Sequence, residues 1–301
     1  MVIFNPTAGR RRSQLLWRVL DVLSANGIRL DLAETRRAGH AAELAREAAA
    51  AGTRLVVAAG GDGTIAEVVG GLAGSAARLG VIPLGTANVL AWELGLPFAP
   101  RAVASALAFG RTRTLWPGVA HTAEGTRVFV QMLGVGLDAQ VVHRLSLPLK
   151  RAVGRGAYVA QTLRELARYE FAPLRVRLDG REVTAAGVVV SKGRLYGGRY
   201  TLAPTARPGE PGFTVALFDR AGPLSAMLYG TALPLNLLPH APGLRLVRAG
   251  HVEIGRVEIG RVEILGDRGA RTSPAQADGD PAGCTPVSVS DAPGSVEVVV
   301  A

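Results

Sequence analysis

The chain reads as a parallel α/β unit followed by a mainly antiparallel β unit, and three observations carry that reading. Short apolar runs alternate with helical patterns through the first third; after about Leu115 the texture turns to strands punctuated by Gly and Pro; and 301 residues are enough for two cores. In order, Met1–Phe4 is an apolar strand, Ser13–Asn26 places apolar residues at helical spacing, and Ile28–Ala33 is a second strand. A helix over Ala41–Ala51 leads into the strand Leu55–Ala59, a helix over Ile65–Leu72 follows, and the strand Leu79–Ile82 precedes a helix over Ala87–Leu94. Ligands in such sheets lie at the carboxyl ends of strands, so the loops after Phe4, Ala59 and Ile82 are the places to look.

Beyond Leu115 the strand candidates are Val128–Leu133, Leu174–Leu178, Ala186–Ser191, Phe213–Phe218 and Ser295–Val300. One helical stretch, roughly Ala157–Tyr169, interrupts them and follows the basic run Lys150-Arg151-Ala152-Val153-Gly154-Arg155. Near the end, Val252-Glu253-Ile254-Gly255-Arg256 is repeated at Val257–Arg261 and begun again at Val262. An odd period flips the strand face at each copy, so a bulge or an overlong hairpin is expected there rather than a solenoid. The uncharged stretch Ala221–Leu244 is rejected as a membrane span, because Pro223, Pro234, Pro239 and Pro242 interrupt the ~20 continuous apolar residues that a span requires.

Composition bounds the function. With 48% hydrophobic and 19% charged residues the chain folds, and a single Cys284 excludes an intramolecular disulfide or a CxxC site. The formal charge of +10 is carried almost wholly by arginine, which attracts phosphates or anionic surfaces but also follows from a GC-rich genome. No basic patch interleaved with aromatics occurs, so no nucleic-acid partner is expected. Met1-Val2-Ile3-Phe4 runs straight into Asn5-Pro6, far short of a signal-peptide core, and a cytoplasmic protein is expected.

The strongest local feature is the strand Leu55–Ala59 running into Gly60-Gly61-Asp62-Gly63-Thr64 and a helix. Glycines at a strand end allow positive φ and close backbone approach, and a helix N-terminus favours an anion. Asp62 beside phosphates calls for a divalent cation between them. An alternative makes Thr64 and Glu67 a Thr-x-x-Glu capping box around a tight turn, which leaves Asp62 unexplained. Pro83-Leu84-Gly85-Thr86-Ala87-Asn88 repeats the device after the next strand, and Asn5-Pro6-Thr7-Ala8-Gly9-Arg10 follows the first. Together the three loops outline a nucleotide pocket. Gly134-Val135-Gly136-Leu137-Asp138-Ala139 matches a dinucleotide fingerprint formally, but outside any βαβ unit. His40, His121, His143, His240 and His251 are scattered, so a histidine triad or metal site has little support.

At these residues the chain resembles the diacylglycerol kinase catalytic-domain family, which includes bacterial lipid kinases and the sphingosine and ceramide kinases. Asn5-Pro6-x-x-Gly9 resembles its opening loop, Gly60–Thr64 its signature, and Pro83–Asn88 its second nucleotide loop. Thr35, ahead of His40-Ala41, resembles the family threonine of the same pocket; Gly134–Ala139 resembles the glycine-rich segment with its aspartate, and Lys150-Arg151 with Gly154 and Tyr158 the stretch after it.

The resemblance implies an α/β nucleotide domain over 1–115, completed by 286–301, and an antiparallel β-sandwich lipid domain over 116–285. It implies ATP and Mg²⁺ between them and γ-phosphoryl transfer to a lipid hydroxyl, diacylglycerol-like, in phospholipid metabolism. Nucleotide-binding residues would be Asn5, Gly9, Thr35, Gly60, Gly61, Asp62, Gly63, Thr64, Glu67, Gly85, Thr86 and Asn88, with Asp62 and Asp138 at the metal. The family's acidic base lies in an Asp-Gly-Glu run, matched here by Asp278-Gly279-Asp280, so Asp280 is the expected base, with Asp62 also catalytic. Asp280 is one methylene shorter, drawing its carboxylate back by about 1.5 Å, and a miss of that order can cost about 10²-fold. Val89 replaces an aspartate of many bacterial members, and no second metal is expected at Gly209-Glu210-Pro211-Gly212.

Lys150, Arg151 and Arg155 would hold the protein peripherally at the inner membrane surface, and a homodimer is possible. Two other readings stay open: an NAD kinase, which shares the GGDGT run, and a nucleotide- or lipid-binding homologue with weak catalysis.

Overall fold

A computed structural model describes residues 1–8, 13–144, 161–162, 164–166, 168–256 and 272–301. The N-terminal unit is a six-stranded sheet in the order β2 (Leu32–Glu34), β1 (Val2–Phe4), β3 (Leu55–Gly60), β4 (Arg78–Pro83), β20 (Val296–Val300), β5 (Arg111–Leu115). Strands β2, β1, β3, β4 and β20 are parallel and β5 runs against β20. Continuous apolar runs such as Leu55-Val56-Val57-Ala58-Ala59 suit strands covered on both faces. On one face α1 (Ser13–Ala25) and α5 (Pro100–Phe109) bury Leu16, Val19, Leu20 and Leu23 with Val103 and Leu107. On the other, α2 (His40–Ala50), α3 (Asp62–Leu72) and the short α4 (Val89–Glu93) bury Ala41, Ala45, Ile65, Val68, Val69 and Leu90. Ala41, Ala45 and Ala48 recur on one stripe of α2, so it lies close against α3.

The C-terminal unit is a sandwich of two antiparallel sheets. One orders β10 (Arg181–Ala185), β9 (Leu174–Leu178), β16 (Val252–Arg256), β19 (Val287–Asp291), β6 (Gly118–Thr122), β7 (Gly125–Phe129). The other orders β15 (Leu244–Ala249), β14 (Phe213–Phe218), β11 (Gly187–Ser191), β8 (Met132–Val135), β17 (Pro274–Ala277), β18 (Asp280–Cys284). Alternate residues of both, including Phe129, Leu133, Val176, Val190, Val215, Ile254 and Val289, form the shared core. A hairpin of β12 (Leu195–Tyr196) and β13 (Tyr200–Thr201), helix α6 (Leu137–Arg144) and helix α7 (Pro223–Ala232) decorate it. The first domain's sheet therefore takes its fifth strand from the last residues of the chain, while β19, just before it, stays in the sandwich.

Several expectations are corrected. The run Val128–Leu133 is not one strand: β7 ends at Phe129 and β8 begins at Met132 in the opposite sheet. The break is held by the Asp278 carboxylate, which accepts N–H bonds from Val130, Gln131 and Met132 at 2.7–2.9 Å. The second strand lies at Leu32–Glu34 rather than from Ile28, and α3 starts at Asp62, three residues before Ile65. Arg111–Leu115, Gly118–Thr122 and Leu244–Ala249 are strands that alternation did not single out, because arginines and glycines break their apolar pattern. The first VEIGR copy is β16; the later copies, the Lys150–Arg155 run, Tyr158 and residues 157–160, 163 and 167 of the expected Ala157–Tyr169 helix lie outside the described residues, while 161–162 and 164–166 are helical.

Candidate active site

β1, β3 and β4 are neighbours, so the loops leaving Phe4, Gly60 and Pro83 stand side by side at the carboxyl edge of the parallel sheet. The Asn5 N–H donates to Ala59 O at 3.1 Å and its Nδ2 donates to Thr64 Oγ1 at 3.3 Å, tying the first loop to the second. Its Oδ1 accepts from the N–H and hydroxyl of Thr7. Thr35 is fixed beside them by its N–H on Phe4 O at 2.9 Å. Gly9 and Arg10 lie outside the described residues.

The glycines of the signature serve closeness rather than positive φ. Gly60, Gly61 and Gly63 all keep ordinary backbone angles, with Gly61 extended at φ −89° as the N-cap of α3. A Cβ on Gly85 would stand 2.6 Å from Gly61 Cα, so the two loops pass backbone to backbone. The left-handed residue is Asn88, at φ 49°, whose Nδ2 donates to Gly85 O while its buried Oδ1 has no hydrogen-bond partner among the described residues. No Thr-x-x-Glu box forms. Thr64 lies inside the first turn of α3, and the Glu67 carboxylate accepts N–H bonds from Gly39 at 2.9 Å and Ala41 at 3.2 Å, capping α2 from its neighbour.

One cavity of about 1840 Å³ runs from these loops into the sandwich. Asn5, Thr35, Gly61, Asp62, Gly63, Thr64, Glu67, Gly85 and Thr86 line its nucleotide-side walls, whereas Gly60 and Asn88 do not line it. Asp138 and Asp280 line the same cavity from the second domain. Most of its remaining wall is apolar, with Val188, Val189, Leu202, Phe218, Met227 and Leu233 between one sheet of the sandwich and α7.

The acidic residues meet around one turn. Asp278 and Gly279, both at positive φ, form the tip between β17 and β18 and deliver Asp280 at the head of β18. Gln276 Nε2 donates to Asp138 Oδ2 at 2.8 Å while its Oε1 accepts the Gly279 N–H at 2.8 Å, binding Asp138 to that turn. The Tyr196 hydroxyl donates to the other oxygen of Asp138. The Asp280 carboxylate lies 3.6 Å from Arg127 and against the first turn of α3.

Burial dominates the electrostatics. It lifts Asp62 to about 6, opposed by N–H groups of Leu90, Val89 and Asn88 at the start of α4. It lifts Asp278 to about 7 against three backbone N–H bonds, with the negative Asp62 adding to the rise. Asp138 is also raised by burial, opposed by Tyr196 and Gln276. Buried carboxylates held above their ordinary range are groups whose charge wants a cation.

Asp62 and Asp138 are hard oxygen donors in that cavity, and among the described residues no three His, Cys, Asp or Glu side chains converge into a metal cage. Magnesium is held by one or two carboxylates plus phosphate oxygens and water, so this donor set fits it. Sequence reasoning passed over Gln276, Tyr196 and Arg127 and gave Asp278 no role of its own beyond its place in the Asp278-Gly279-Asp280 run, whose Asp-Gly pair is a hairpin signal.

Residues 1–119 match the diacylglycerol kinase catalytic domain, and residues 131–300 the YegS C-terminal NAD kinase beta sandwich-like domain. A Chromohalobacter salexigens protein named "Probable lipid kinase YegS-like" is 35% identical over 60% of this chain, and the match spans 59% of that protein's length. A Pseudomonas putida protein of the same name is 34% identical over 70% of this chain and 72% of its own, and a Bacillus subtilis protein named "Diacylglycerol kinase" is 31% identical over 73% of each. Two solved Bacillus anthracis structures cover 100% of the chain and 96% of their own at 21% and 19% identity, with TM-scores of 0.76 and 0.68; the second is described as a diacylglycerol kinase. Their likeness shows the fold, and the two domain matches with the curated relatives show the family: the chain belongs to the diacylglycerol kinase family, in the group that carries the YegS-type sandwich.

Proposed function

We propose that the protein is a lipid kinase that transfers the γ-phosphoryl group of ATP, with Mg²⁺, to the hydroxyl of a diacylglycerol-like lipid in phospholipid metabolism, working peripherally at the cytoplasmic face of the inner membrane. The observation that carries this reading is the single cavity, phosphate-type loops at one end and apolar walls at the other, with Asp280 where they meet. A lipid alcohol with its tail along Val189, Phe218 and Met227 would present its hydroxyl to that carboxylate.

Phosphoryl transfer is mostly positioning and charge neutralisation. The loops at Asn5, Gly61–Thr64 and Gly85–Thr86 would bind and orient the triphosphate, with the N-terminus of α3 favouring its negative charge. Asp62 and Asp138 would hold Mg²⁺, which when bound neutralises charge on the phosphates. Asp280 would accept the proton of the lipid hydroxyl at its carboxylate. Arg127, 3.6 Å from that carboxylate, lines the same cavity. The apolar walls exclude water, whose attack would waste ATP. They also favour a lipid acceptor over the soluble dinucleotide of an NAD kinase.

Purified protein with labelled ATP and diacylglycerol, sphingosine, ceramide or phosphatidylglycerol tests the proposal. Labelled lipid is expected from at least one acceptor and none from Asp62→Ala. No labelled lipid beside a working control kinase would overturn it, NADP formed from NAD would replace it, and ATP-dependent thermal stabilisation without turnover would favour a binding homologue.

A further inference from the structure

Leu224, Met227, Leu228, Leu235 and Leu237 expose 83, 52, 40, 67 and 55% of their surface. All lie on α7 or the turn that follows it, and no charged side chain or histidine occurs from Ala221 to Pro239. The opposite face of α7 buries Tyr229 and Ala232 on the sandwich, so Leu224, Met227 and Leu228 are the outward face of a seated helix, and Leu235 and Leu237 follow in the turn after it. A contiguous exposed apolar patch of this kind marks an interaction surface.

We infer that this patch is where the protein rests on a phospholipid bilayer, and that it is the port through which the acceptor enters. The inference rests on the lipid-kinase reading above. Continuity selects the occupant: Met227 is half exposed in the patch and also lines the apolar part of the cavity, so patch and cavity mouth are one surface. A molecule with apolar tails leaving a bilayer at this point meets apolar side chains from outside to inside and crosses no water. A second copy seated here would cover that mouth. Flexible Leu and Met side chains offer a protein partner no specific hydrogen bonds, but they insert readily into the headgroup boundary. The formal charge of +10 draws the chain to an anionic leaflet, and Arg220, at the edge of the patch and of the cavity, meets lipid phosphates there.

The test is flotation of the full chain with vesicles of phosphatidylglycerol and phosphatidylethanolamine, compared with Leu224→Glu, Leu235→Glu and the double variant, none of which lines the cavity. Each substitution is expected to lower vesicle partition about tenfold. It should also lower phosphorylation of long-chain diacylglycerol in those vesicles while sparing monomeric dihexanoylglycerol, with melting temperature unchanged. Wild-type protein that phosphorylates dihexanoylglycerol yet fails to float, or variants that float like wild type, would overturn docking and leave the kinase reading intact. Flotation lost in the variants, with no lipid phosphorylated by wild type in any form, would sustain docking and overturn the kinase reading. Variants that change only from dimer to monomer, with flotation unaltered, would assign the patch to a second copy and overturn the inference.

Discussion

The Asp280 carboxylate lies directly on Gly63: a Cβ at Gly63 would stand 2.4 Å from Asp280 Oδ2. The signature loop of the first domain and the acidic turn of the second are thus shaped to one another, and glycine is the residue that lets the carboxylate reach the first turn of α3. Gly63→Ala is expected to push Asp280 aside and lower kcat about 10²-fold. Alanine is about 1 kcal/mol better than glycine within a helix, so the same variant should melt no lower than wild type. Steady-state kinetics beside a thermal melt checks both; wild-type kcat in Gly63→Ala would show that Asp280 does not act from this position.

Asp278 anchors the turn that carries Asp280. Its carboxylate accepts N–H bonds from Val130, Gln131 and Met132, and its φ of 50° is one that Asp and Asn tolerate and most residues do not. Asp278→Ala leaves three buried N–H groups unpaired, at about 1–3 kcal/mol for each, and strains the turn. A loss of about 4 kcal/mol is expected from urea denaturation, and less than half of that for Asp278→Asn, which keeps one acceptor and the turn.

These two contacts show what was legible in the sequence and what was not. Leu55–Ala59 and Leu79–Ile82 were readable because both faces of a parallel strand are buried, and Gly60–Thr64 because glycines crowd one strand end. The reason for Gly63 was not readable, since it depends on Asp280, more than 200 positions away. Nor was the division of Val128–Leu133 between two sheets: the apolar pattern runs on through Val130, and only the distant Asp278 carboxylate breaks it. The notion of a Thr64–Glu67 box failed for the same cause, because Glu67 caps a different helix. Local periodicity finds elements; pairings between distant polar groups are invisible to it.

The buried carboxylates set a pH dependence for the protein without nucleotide or divalent cation. Asp62 and Asp278 sit at about 6 and about 7 in the fold, above the ordinary 3.8 of the unfolded chain. The folded state therefore holds more protons than the unfolded state between about pH 4 and 7, and stability falls as pH rises through that window. Each tenfold preference for the protonated form is worth about 1.4 kcal/mol. Thermal melts in chelator should give a higher Tm at pH 5.5 than at pH 8. Asp62→Asn with Asp278→Asn should flatten the slope, and ATP with Mg²⁺ should oppose it by holding Asp62 ionised. A Tm that climbs steadily from pH 5.5 to 8 without ligand would contradict the assignment.

Lys192 is a fully buried ammonium, and its partners decide what its removal does. Its Nζ donates to Glu210 O and Gly212 O at 3.0 Å and to Asp291 Oδ1 at 2.7 Å, and lies 4.8 Å from the Phe213 ring centre. The carbonyls belong to the Gly209–Gly212 segment, so a side-chain cation of the protein itself occupies the oxygens of that turn. The same residue's N–H donates to Gln131 O at 2.8 Å, and Gln131 N–H donates in turn to Asp278, so the ammonium is one step of backbone from the site. Breaking a buried pair from one side costs about 3–5 kcal/mol, whereas an exposed pair such as Arg37–Glu43 is worth at most about 1 kcal/mol. Lys192→Met is therefore expected to lower stability by about 3 kcal/mol, against no more than about 1 for Arg37→Met. Because Lys192→Met leaves the Asp291 carboxylate uncompensated, adding Asp291→Asn to it should recover part of the loss, and a urea double-mutant cycle reads that coupling directly. Additive losses in the cycle would mean that Lys192 holds the turn through its two carbonyls alone.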